Sequence, residues 1–244
     1  MNKNVLIIGG TSDIGFAIAK EFARLGFDIT LVGRDTDRLK SNASDLAIRY
    51  GVKTDYYFID IENLQSLDEF LSNYHQSPDG IVYAIGYLGN QQLAQNDFDE
   101  AKKLMDINFT NAMKLLNHFA NQFEQRQSGF IIGISSVAGD RGRQSNYIYG
   151  AAKAALSTYL SGLRNRLASK NVSVITVKPG FVHTKMTAGL PLSKLMTAEP
   201  EAVAHDVIKA WKHHKDVIYT KSLWKWIMCI IKSLPEKIFK KTNL

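Results

Sequence analysis

Three side chains in the middle of the chain have the types and spacing of a proton-transfer site. Ser136 precedes Tyr149 by thirteen residues, and Lys153 follows the tyrosine by four. Residues four apart on a helix share one face, so Tyr149 and Lys153 would lie one turn apart. An ammonium stabilises a nearby phenolate, and we expect Lys153 to lower the pKa of Tyr149 from about 10 toward neutral pH. Such a tyrosine can pass a proton to a carbonyl oxygen.

A glycine-rich segment near the N-terminus has the pattern of a nucleotide site. An apolar run at 5–8 leads into GGTSDIG and then into an apolar-periodic segment at 16–25, which predicts a strand, a tight turn and a helix. Glycines let the backbone approach a pyrophosphate, and the helix N-terminus favours its charge. Asp13 opposes that charge unless its carboxylate turns away to cap free N–H groups, which we favour. The predicted contacts are Gly9, Thr11, Ser12, Asp13, Ile14 and Gly15.

The elements that must position these groups follow a regular alternation. Apolar runs of strand length alternate with segments of helical periodicity, which predicts repeated βαβ units. The fold class is therefore α/β, a Rossmann-like doubly wound parallel sheet of about seven strands with helices on both faces. Ligands of such sheets bind beyond the carboxyl ends of the strands. The strands are predicted near 4–9, 28–33, 54–60, 79–85, 129–134, 172–178 and 216–220.

Length and composition fit one domain with a short extension. The 244 residues are 45% hydrophobic, and we assign 1–220 to a single nucleotide-binding domain and 221–244 to a basic amphipathic extension. The single cysteine, Cys229, cannot form an internal disulfide, and no signal peptide precedes the first strand, which predicts a cytoplasmic protein. The six histidines show no ligand spacing, so no metal is expected.

The end of the second predicted strand bears on cofactor choice. An acid there would bind a ribose 2′-hydroxyl, whereas an arginine accommodates a 2′-phosphate. The chain has Gly33 followed by Arg34, which favours NADPH and leaves NADH as the second option. Alternatively, Arg34 stacks on the adenine or is neutralised by Asp35.

Together these motifs resemble the short-chain dehydrogenase/reductase family, whose proton donor lies in Tyr-x-x-x-Lys with a serine upstream. The resemblance implies hydride transfer from a nicotinamide to a carbonyl carbon, with Tyr149 as the proton donor. Ser136 would bind the carbonyl oxygen, and Lys153 would bind the nicotinamide ribose. Asn108 matches the family's asparagine that holds a water in the proton relay, although an ordinary helix-kink hydrogen bond is the other interpretation.

The same resemblance implies further cofactor contacts. Asp60 and Ile61 match an adenine contact, although Asp60 could instead cap the next helix. His183 receives no catalytic role. The chain departs from the family pattern at Ile8, at Asp13 and in Tyr83-Ala84-Ile85-Gly86, where the family has Asn-Asn-Ala-Gly. The remaining predicted cofactor contacts are Ala84, Gly86, Tyr149, Lys153, Pro179, Gly180, Val182 and Thr184.

The C-terminal stretch carries most of the net charge. From 212 to 244 there are eight lysines against two acids, which supplies +6 of the formal +7. The apolar stripe is too short to span a bilayer and suits the interface of an anionic membrane. Alternatively the helix packs on its own fold or on another subunit, with its lysines solvated. Nucleic-acid binding is not expected, because no stacking platform or recognition helix is present. The stripe consists of Trp224, Ile227, Ile231, Leu234 and Ile238.

The tail, GGTSDIG, AIGYLG and SSVAGDRGRQSNYIYGAAKAAL together resemble one branch of the family, the decaprenylphosphoryl-2-keto-erythro-pentose reductases. That resemblance implies a keto-sugar linked to a polyprenyl phosphate in cell-envelope polysaccharide synthesis, and Arg141 and Arg143 either contact its phosphate or are solvated loop charges. A general soluble ketone or 3-oxoacyl reductase is the first alternative, and a non-catalytic binding protein is the second. The family implies a homodimer or homotetramer.

Overall fold

Seven parallel strands form the central sheet of the computed structural model, which describes residues 3–189, 191 and 193–242. Their order across the sheet is β3-β2-β1-β4-β5-β6-β9, so the predicted doubly wound sheet is confirmed. Two further short strands, β7 and β8, pair in a separate parallel ladder that the sequence did not predict. The strands are β1 (Asn4–Ile8), β2 (Asp28–Gly33), β3 (Thr54–Phe58), β4 (Gly80–Tyr83), β5 (Gly129–Ile134), β6 (Val172–Lys178), β7 (Phe181–Val182), β8 (Thr197–Ala198) and β9 (Val217–Tyr219).

Helices connect the strands and cover both faces of the sheet. A π-helical turn joins α5 to α6, and short 3₁₀ turns follow Ser136, α7 and Thr184. The helices are α1 (Asp13–Arg24), α2 (Thr36–Tyr50), α3 (Leu64–Asn73), α4 (Gln91–Ala94), α5 (Phe98–Met105), α6 (Asn111–Arg126), α7 (Tyr147–Leu167), α8 (Pro200–Lys212), α9 (Leu223–Ser233) and α10 (Glu236–Phe239).

Both faces of the sheet are buried at β1, which explains the continuous apolar run of this strand. Val5 and Ile7 pack in the cluster that contains the buried residues of α1, α2 and α8. Leu6 and Ile8 point the other way, into the cluster formed with α3, α6 and α7. Successive strand residues face opposite sides, so a strand covered on both sides needs apolar residues at every position.

The order of the strands reverses at β1. The chain passes from β1 to β2 and β3 on one side and then returns to β4 on the other side. Ligands of doubly wound sheets bind in the crevice at this reversal, beyond the carboxyl ends of the strands. The glycine turn after β1 and the segment after β4 meet there, and Ala84 N donates to Ile8 O at 2.8 Å.

Part of the apolar stripe that the sequence places at a membrane packs on the protein instead, whereas Ile238 in α10 is 53% exposed. Trp224, Met228 and Ile231 are buried against Val137, so the alternative of packing on its own fold is correct for this face. The apolar residues that α9 leaves exposed lie elsewhere on the helix, at Leu223, Trp226 and Ile230. In the described part of the chain, no helix is long and apolar enough to cross a membrane.

Arg141 holds this C-terminal segment in place. Its Nη1 donates to the carbonyl oxygens of Ile231 and Leu234, each at 2.6 Å, and its Nη2 pairs with Glu236 at 2.7 Å. The guanidinium also lies 3.8 Å from the ring centroid of Phe239. Arg141 is therefore neither a phosphate ligand nor a solvated loop charge, since it binds the free carbonyls at the end of α9.

Candidate active site

A cavity of about 280 Å³ opens beyond the carboxyl ends of the central strands. Most of the predicted site residues line it, although they come from segments far apart in the sequence. Those that line it are Thr11, Ser12, Asp13, Ile14, Ala84, Gly86, Ser136, Tyr149, Lys153, Pro179, Gly180, Val182 and Thr184. The predicted residues outside its lining are Gly9, Gly15, Arg34, Asp60, Ile61 and Asn108.

Ser136, Tyr149 and Lys153 come together at this cavity. Ser136 ends the extended segment after β5, where its Oγ accepts a hydrogen bond from Ala138 N at 3.1 Å. Tyr149 and Lys153 lie in the first two turns of α7, and the Lys153 Nζ is 5.7 Å from the tyrosine ring centroid. Lys153 is 2% exposed, and its Nζ donates to Ile134 O at 3.1 Å. The spacing in the sequence predicted the proximity of Tyr149 and Lys153, and the family resemblance predicted that Ser136 joins them.

The electrostatics of this trio differ from the sequence prediction. Burial raises the pKa of Tyr149 to about 12, and a hydrogen bond with Ser136 offsets this only in part. Burial also lowers the pKa of Lys153 to about 7. The predicted lowering of the tyrosine pKa is thus wrong for the protein alone, because burial disfavours the phenolate. Tyr149 holds its proton at neutral pH, which is the state that a proton donor requires.

Asn108 lies in the π-helical turn Asp106–Thr110, next to the trio but outside the cavity lining. Its Nδ2 donates to Tyr87 O at 2.7 Å and to Leu104 O at 2.9 Å, and its Oδ1 accepts from Tyr87 N at 3.1 Å. These are the bonds of the helix-kink alternative, and they fix the segment after β4. A role in a proton relay stays a prediction.

Gly86 places a backbone position without a side chain between Lys153 and Asn108 of the π-helical turn. A Cβ at Gly86 would lie 3.5 Å from both Asn108 Oδ1 and Lys153 Nζ, and 3.3 Å from Met186 Cε. The glycine therefore leaves space beside Lys153 for a flat group to lie against the chain.

The glycine turn is held by Ser12, which is the N-cap of α1. Its Oγ accepts from Gly15 N at 3.0 Å and donates to Ala84 O at 3.0 Å, which ties the turn to the segment after β4. Gly9 has φ of +97°, and a Cβ there would lie 2.9 Å from the Ala84 carbonyl. Only glycine fits such a position.

The Asp13 carboxylate binds a distant N–H group. Its Oδ2 accepts a hydrogen bond from Lys185 N at 2.8 Å, and its Oδ1 lies 3.5 Å from the Arg38 guanidinium. Because the first N–H groups of a helix have no partner within it, the amides of Asp13 and Ile14 remain beside the cavity. The N-terminus of α1 therefore fits a pyrophosphate, with Arg38 offsetting the charge of Asp13.

Arg34 projects from the end of β2, as the sequence predicted. Its Nη1 pairs with Glu62 at 3.1 Å, whereas Asp35 caps α2 by accepting from Arg38 N at 3.0 Å. Glu62, and not Asp35, is thus the acid that pairs with Arg34. The side chain of Arg34 is largely exposed, so its guanidinium can be approached by an anion from solvent.

Asp60 does not cap the following helix. Asn63 is the N-cap of α3, and the Oδ1 of Asp60 accepts from Glu62 N at 3.1 Å within the preceding turn. The capping alternative is therefore wrong. The adenine contact of Asp60 and Ile61 stays a prediction.

The loop after β6 is ordered by its own threonines. Thr187 Oγ1 donates to Val182 O at 2.6 Å and accepts from Thr184 N at 3.1 Å. His183 points away and lies 2.6 Å from the Glu199 carboxylate, outside the lining of this cavity. Val182 and Thr184 are thereby held at the cavity wall.

The cavity lining also includes residues outside the predicted catalytic and cofactor sets. Among them are Trp224, which was predicted only as part of the C-terminal stripe, and Arg143, for which a phosphate contact was one of two alternatives. Trp224 reaches the cavity from α9, where its Nε1 donates to Met196 O at 3.0 Å and its ring meets Phe181 at 5.4 Å between centroids. A Cβ at Gly180 would lie 1.9 Å from the Trp224 ring, so that glycine makes room for the indole. The loop before α7 adds Arg143 and Asn146.

Comparisons with known proteins agree with this geometry. A family model described as short chain dehydrogenase matches residues 3–194. An uncharacterized oxidoreductase of Mycobacterium tuberculosis is 30% identical over 240 residues, which cover 97% of this chain and 96% of the relative. A 3-oxoacyl-[acyl-carrier-protein] reductase of Chlamydia muridarum is 30% identical over 220 residues, which cover 84% of this chain and 88% of the relative.

A solved structure with the same fold covers nearly the whole chain. The short-chain dehydrogenase from Sphingobium yanoikuyae in complex with NADPH has a TM-score of 0.81 and 22% identity, and covers 96% of this chain and 97% of its own. The fold and site thus define an α/β oxidoreductase with a crevice at the reversal of strand order, where Ser136, Tyr149 and Lys153 line one cavity. The chain belongs to the short-chain dehydrogenase family, and it is an NAD(P)-dependent oxidoreductase.

Proposed function

We propose that the protein reduces a ketone to a secondary alcohol with NADPH. The observation that carries this is the meeting of Ser136, Tyr149 and Lys153 at one cavity that also receives the N-terminus of α1. Bound NADPH would supply the hydride for the carbonyl carbon. The residues of the chain then have to bind the carbonyl oxygen and give it a proton.

Tyr149 is suited to that proton transfer by its burial. With its pKa raised to about 12, the tyrosine is protonated at neutral pH and donates to the oxygen as negative charge develops there. The Ser136 hydroxyl lines the same cavity as Tyr149 and can donate to the same oxygen. Lys153 then stabilises the phenolate that remains, and a phenolate beside it would raise the lysine pKa again.

Arg34 supports NADPH over NADH. Its exposed guanidinium pairs with Glu62 at the edge of the sheet where the adenosine ribose of a doubly wound fold lies. The residue at the end of β2 is Gly33, and not an acid that could accept a hydrogen bond from a 2′-hydroxyl. The neighbour from Sphingobium yanoikuyae contains NADPH, which agrees with this preference.

The proposed substrate is a keto-sugar linked to a polyprenyl phosphate in cell-envelope polysaccharide synthesis. The likeness of GGTSDIG, AIGYLG and the Ser136–Lys153 segment to keto-pentose reductases supports this. The cavity wall also supports it, because α9 contributes Trp224 to the cavity and leaves a different apolar face in solvent. A helix with that arrangement can bring the active site to a lipid-anchored sugar.

We infer that this exposed face of α9 contacts an anionic membrane surface. Trp226 is 66% exposed and Ile230 is 63% exposed, and both lie on one side of the helix together with Leu223. Lys225 and Lys232 on the same helix are exposed too. Exposed tryptophan and isoleucine beside lysines suit the headgroup region of anionic lipids.

The test of the proposed reaction uses the whole chain and its natural type of substrate. Purified protein is titrated with NADPH and NADH, and NADPH oxidation is then followed with membrane extracts that contain polyprenyl-phosphoryl keto-sugars. Turnover that Tyr149→Phe abolishes while NADPH binding is kept supports the proposal. Turnover that survives this substitution contradicts it.

A soluble 3-oxoacyl reductase is the second candidate, and the relative from Chlamydia muridarum favours it. The discriminating comparison is kcat/KM for an acetoacetyl thioester against a polyprenyl-phosphoryl keto-sugar in the same detergent. A cytoplasmic location, a homodimer or homotetramer, and the boundary at residue 220 remain part of the proposal. Sedimentation of the purified protein measures the oligomeric state.

A further inference from the structure

A guanidinium without a protein partner faces the active-site cavity. Arg143 lies in the loop between the 3₁₀ turn Val137–Asp140 and α7, and it lines the same cavity as Tyr149. Its Nε is buried and has no hydrogen-bond partner among the described residues. No hydrogen bond or ion pair within 3–189, 191 and 193–242 uses its guanidinium. Arg143 as a whole is half-buried, but a buried N–H of a charged group is costly to leave without a hydrogen-bond partner, and a ligand in the cavity can supply one.

The acid closest in sequence is already bound to other groups. Burial lowers the pKa of Arg143, and the charge of Asp140 opposes this effect. The Oδ1 of Asp140, however, binds Lys178 Nζ at 2.5 Å, and its Oδ2 accepts from the hydroxyl of Tyr219 at 2.6 Å. Arg141, two residues earlier, is fully used by the end of α9. Arg143 is therefore the arginine of this loop that is available to a ligand.

Asn146 adds a second unpartnered atom on the same loop. Its Oδ1 is buried without a hydrogen-bond partner among the described residues, and the side chain lines the cavity. Although Asn146 directly precedes α7, its side chain makes no capping bond to the helix. The cavity thus offers a cationic donor and an amide acceptor close in sequence to the proton donor Tyr149. A substrate that satisfies both has an anionic group and a hydroxyl group near its carbonyl.

Building on the proposed ketone reduction, we propose that Arg143 binds a phosphate group next to the reacting carbonyl and that Asn146 accepts a hydrogen bond from a neighbouring hydroxyl. The planar fork of a guanidinium matches phosphate oxygens, and the amide oxygen distinguishes a hydroxylated ketone from a plain acyl chain. The site selects phosphorylated hydroxyketones. The phosphate can belong to a lipid-linked phosphodiester or to a free sugar phosphate, which the experiment separates.

The test measures binding in the absence of turnover. The protein is saturated with NADP⁺, which fills the nucleotide's own phosphate sites and cannot deliver hydride, and is titrated calorimetrically with dihydroxyacetone phosphate and dihydroxyacetone. We expect the phosphorylated ketone to bind more tightly than its neutral counterpart. Arg143→Gln should weaken its binding about tenfold to a hundredfold, because charge-assisted hydrogen bonds are lost. Arg143→Lys should recover part of the affinity, and Arg49→Gln on the outer surface of α2 is the matched control.

Each outcome is decisive for the inference. Equal binding of the two ketones, no binding of dihydroxyacetone phosphate, or an Arg143→Gln variant with unchanged affinity overturns it while leaving ketone reduction intact. A preference for acetoacetate over dihydroxyacetone phosphate also overturns it, in favour of a carboxylate. Turnover with a polyprenyl-phosphoryl keto-sugar and with dihydroxyacetone phosphate, each compared in the wild type and Arg143→Gln, shows which source of phosphate the enzyme uses. Failure of the ketone reductase itself would appear separately, as turnover that Tyr149→Phe does not affect.

Discussion

Replacing Lys153 with methionine should stabilise the protein while removing its activity. The pKa of Lys153 falls from the ordinary 10.5 to about 7 on folding, because the ammonium loses its water. Between these two pH values the unfolded chain binds more protons than the folded one, so stability rises with pH. At 1.36 kcal/mol for each tenfold change, the burial of this lysine costs roughly 4 kcal/mol at pH 7 and about 2 kcal/mol at pH 9. Methionine has no such cost.

The net increase in the free energy of unfolding is smaller, because the hydrogen bond from Lys153 Nζ to Ile134 O is lost as well. That loss is worth about 1 kcal/mol at either pH, which leaves a net stabilisation of roughly 3 kcal/mol at pH 7 and about 1 kcal/mol at pH 9. The assay is urea unfolding of the cofactor-free protein at both pH values, followed by circular dichroism. Lys40→Met on the exposed side of α2 is the control, and its effect should be small at both.

The pH dependence is the decisive part of this experiment. If Lys153→Met changed the free energy of unfolding equally at pH 7 and pH 9, the lysine would keep its ordinary pKa in the folded protein. If the substitution destabilised the protein at pH 7, the free-energy cost of burying the ammonium would be smaller than the stabilisation from the contacts that Lys153 makes. Either result would refute the conclusion that desolvation governs this site.

Three further changes test other parts of the site. Arg34→Ala should weaken NADPH binding about tenfold to a hundredfold and leave NADH binding within about twofold, as measured by fluorescence titration, and equal losses for both nucleotides would disprove a 2′-phosphate contact. Trp226→Gln together with Ile230→Gln should reduce co-sedimentation with vesicles of mixed anionic and neutral lipids, whereas Ile48→Gln, an 86% exposed residue of α2, should not. Gly180→Ala should lower kcat/KM about tenfold or more by displacing Trp224, and unchanged kinetics would show that the indole is not needed in the cavity wall.

The sequence predicted the sheet and the Tyr149–Lys153 pair because both depend on local patterns, and the family resemblance added Ser136. All seven strands of the main sheet were predicted. The apolar runs are clearest in β1 and its central neighbours, which are buried on both faces, whereas the edge strands β3 and β9 are half-buried or exposed. The fixed spacing of Tyr149 and Lys153 on α7 predicted their shared face. The small ladder of β7 and β8 was missed, because two-residue strands have no periodicity to detect.

The electrostatics and the far walls of the cavity were not predictable in this way. The raised pKa of Tyr149 depends on how deeply the folded chain encloses it, which no spacing of residues reveals. The partner of the Asp13 carboxylate, Lys185 N, comes from a residue 172 positions away. The stripe of α9 was found by its period, yet period alone does not tell a helix face that meets protein from one that meets lipid.

The bonds from Arg141 to the C-terminal segment bear on how sequence differences in that segment among relatives of this enzyme should be interpreted. A charged C-terminal segment that made no contact with the active site could vary in sequence without changing the reaction. Here the tail is anchored through Ile231, Leu234 and Glu236, and it delivers Trp224 to the active site. Exchange of this segment between homologues is therefore expected to transfer substrate preference, and laboratory evolution of new specificities has a compact target in the last two dozen residues.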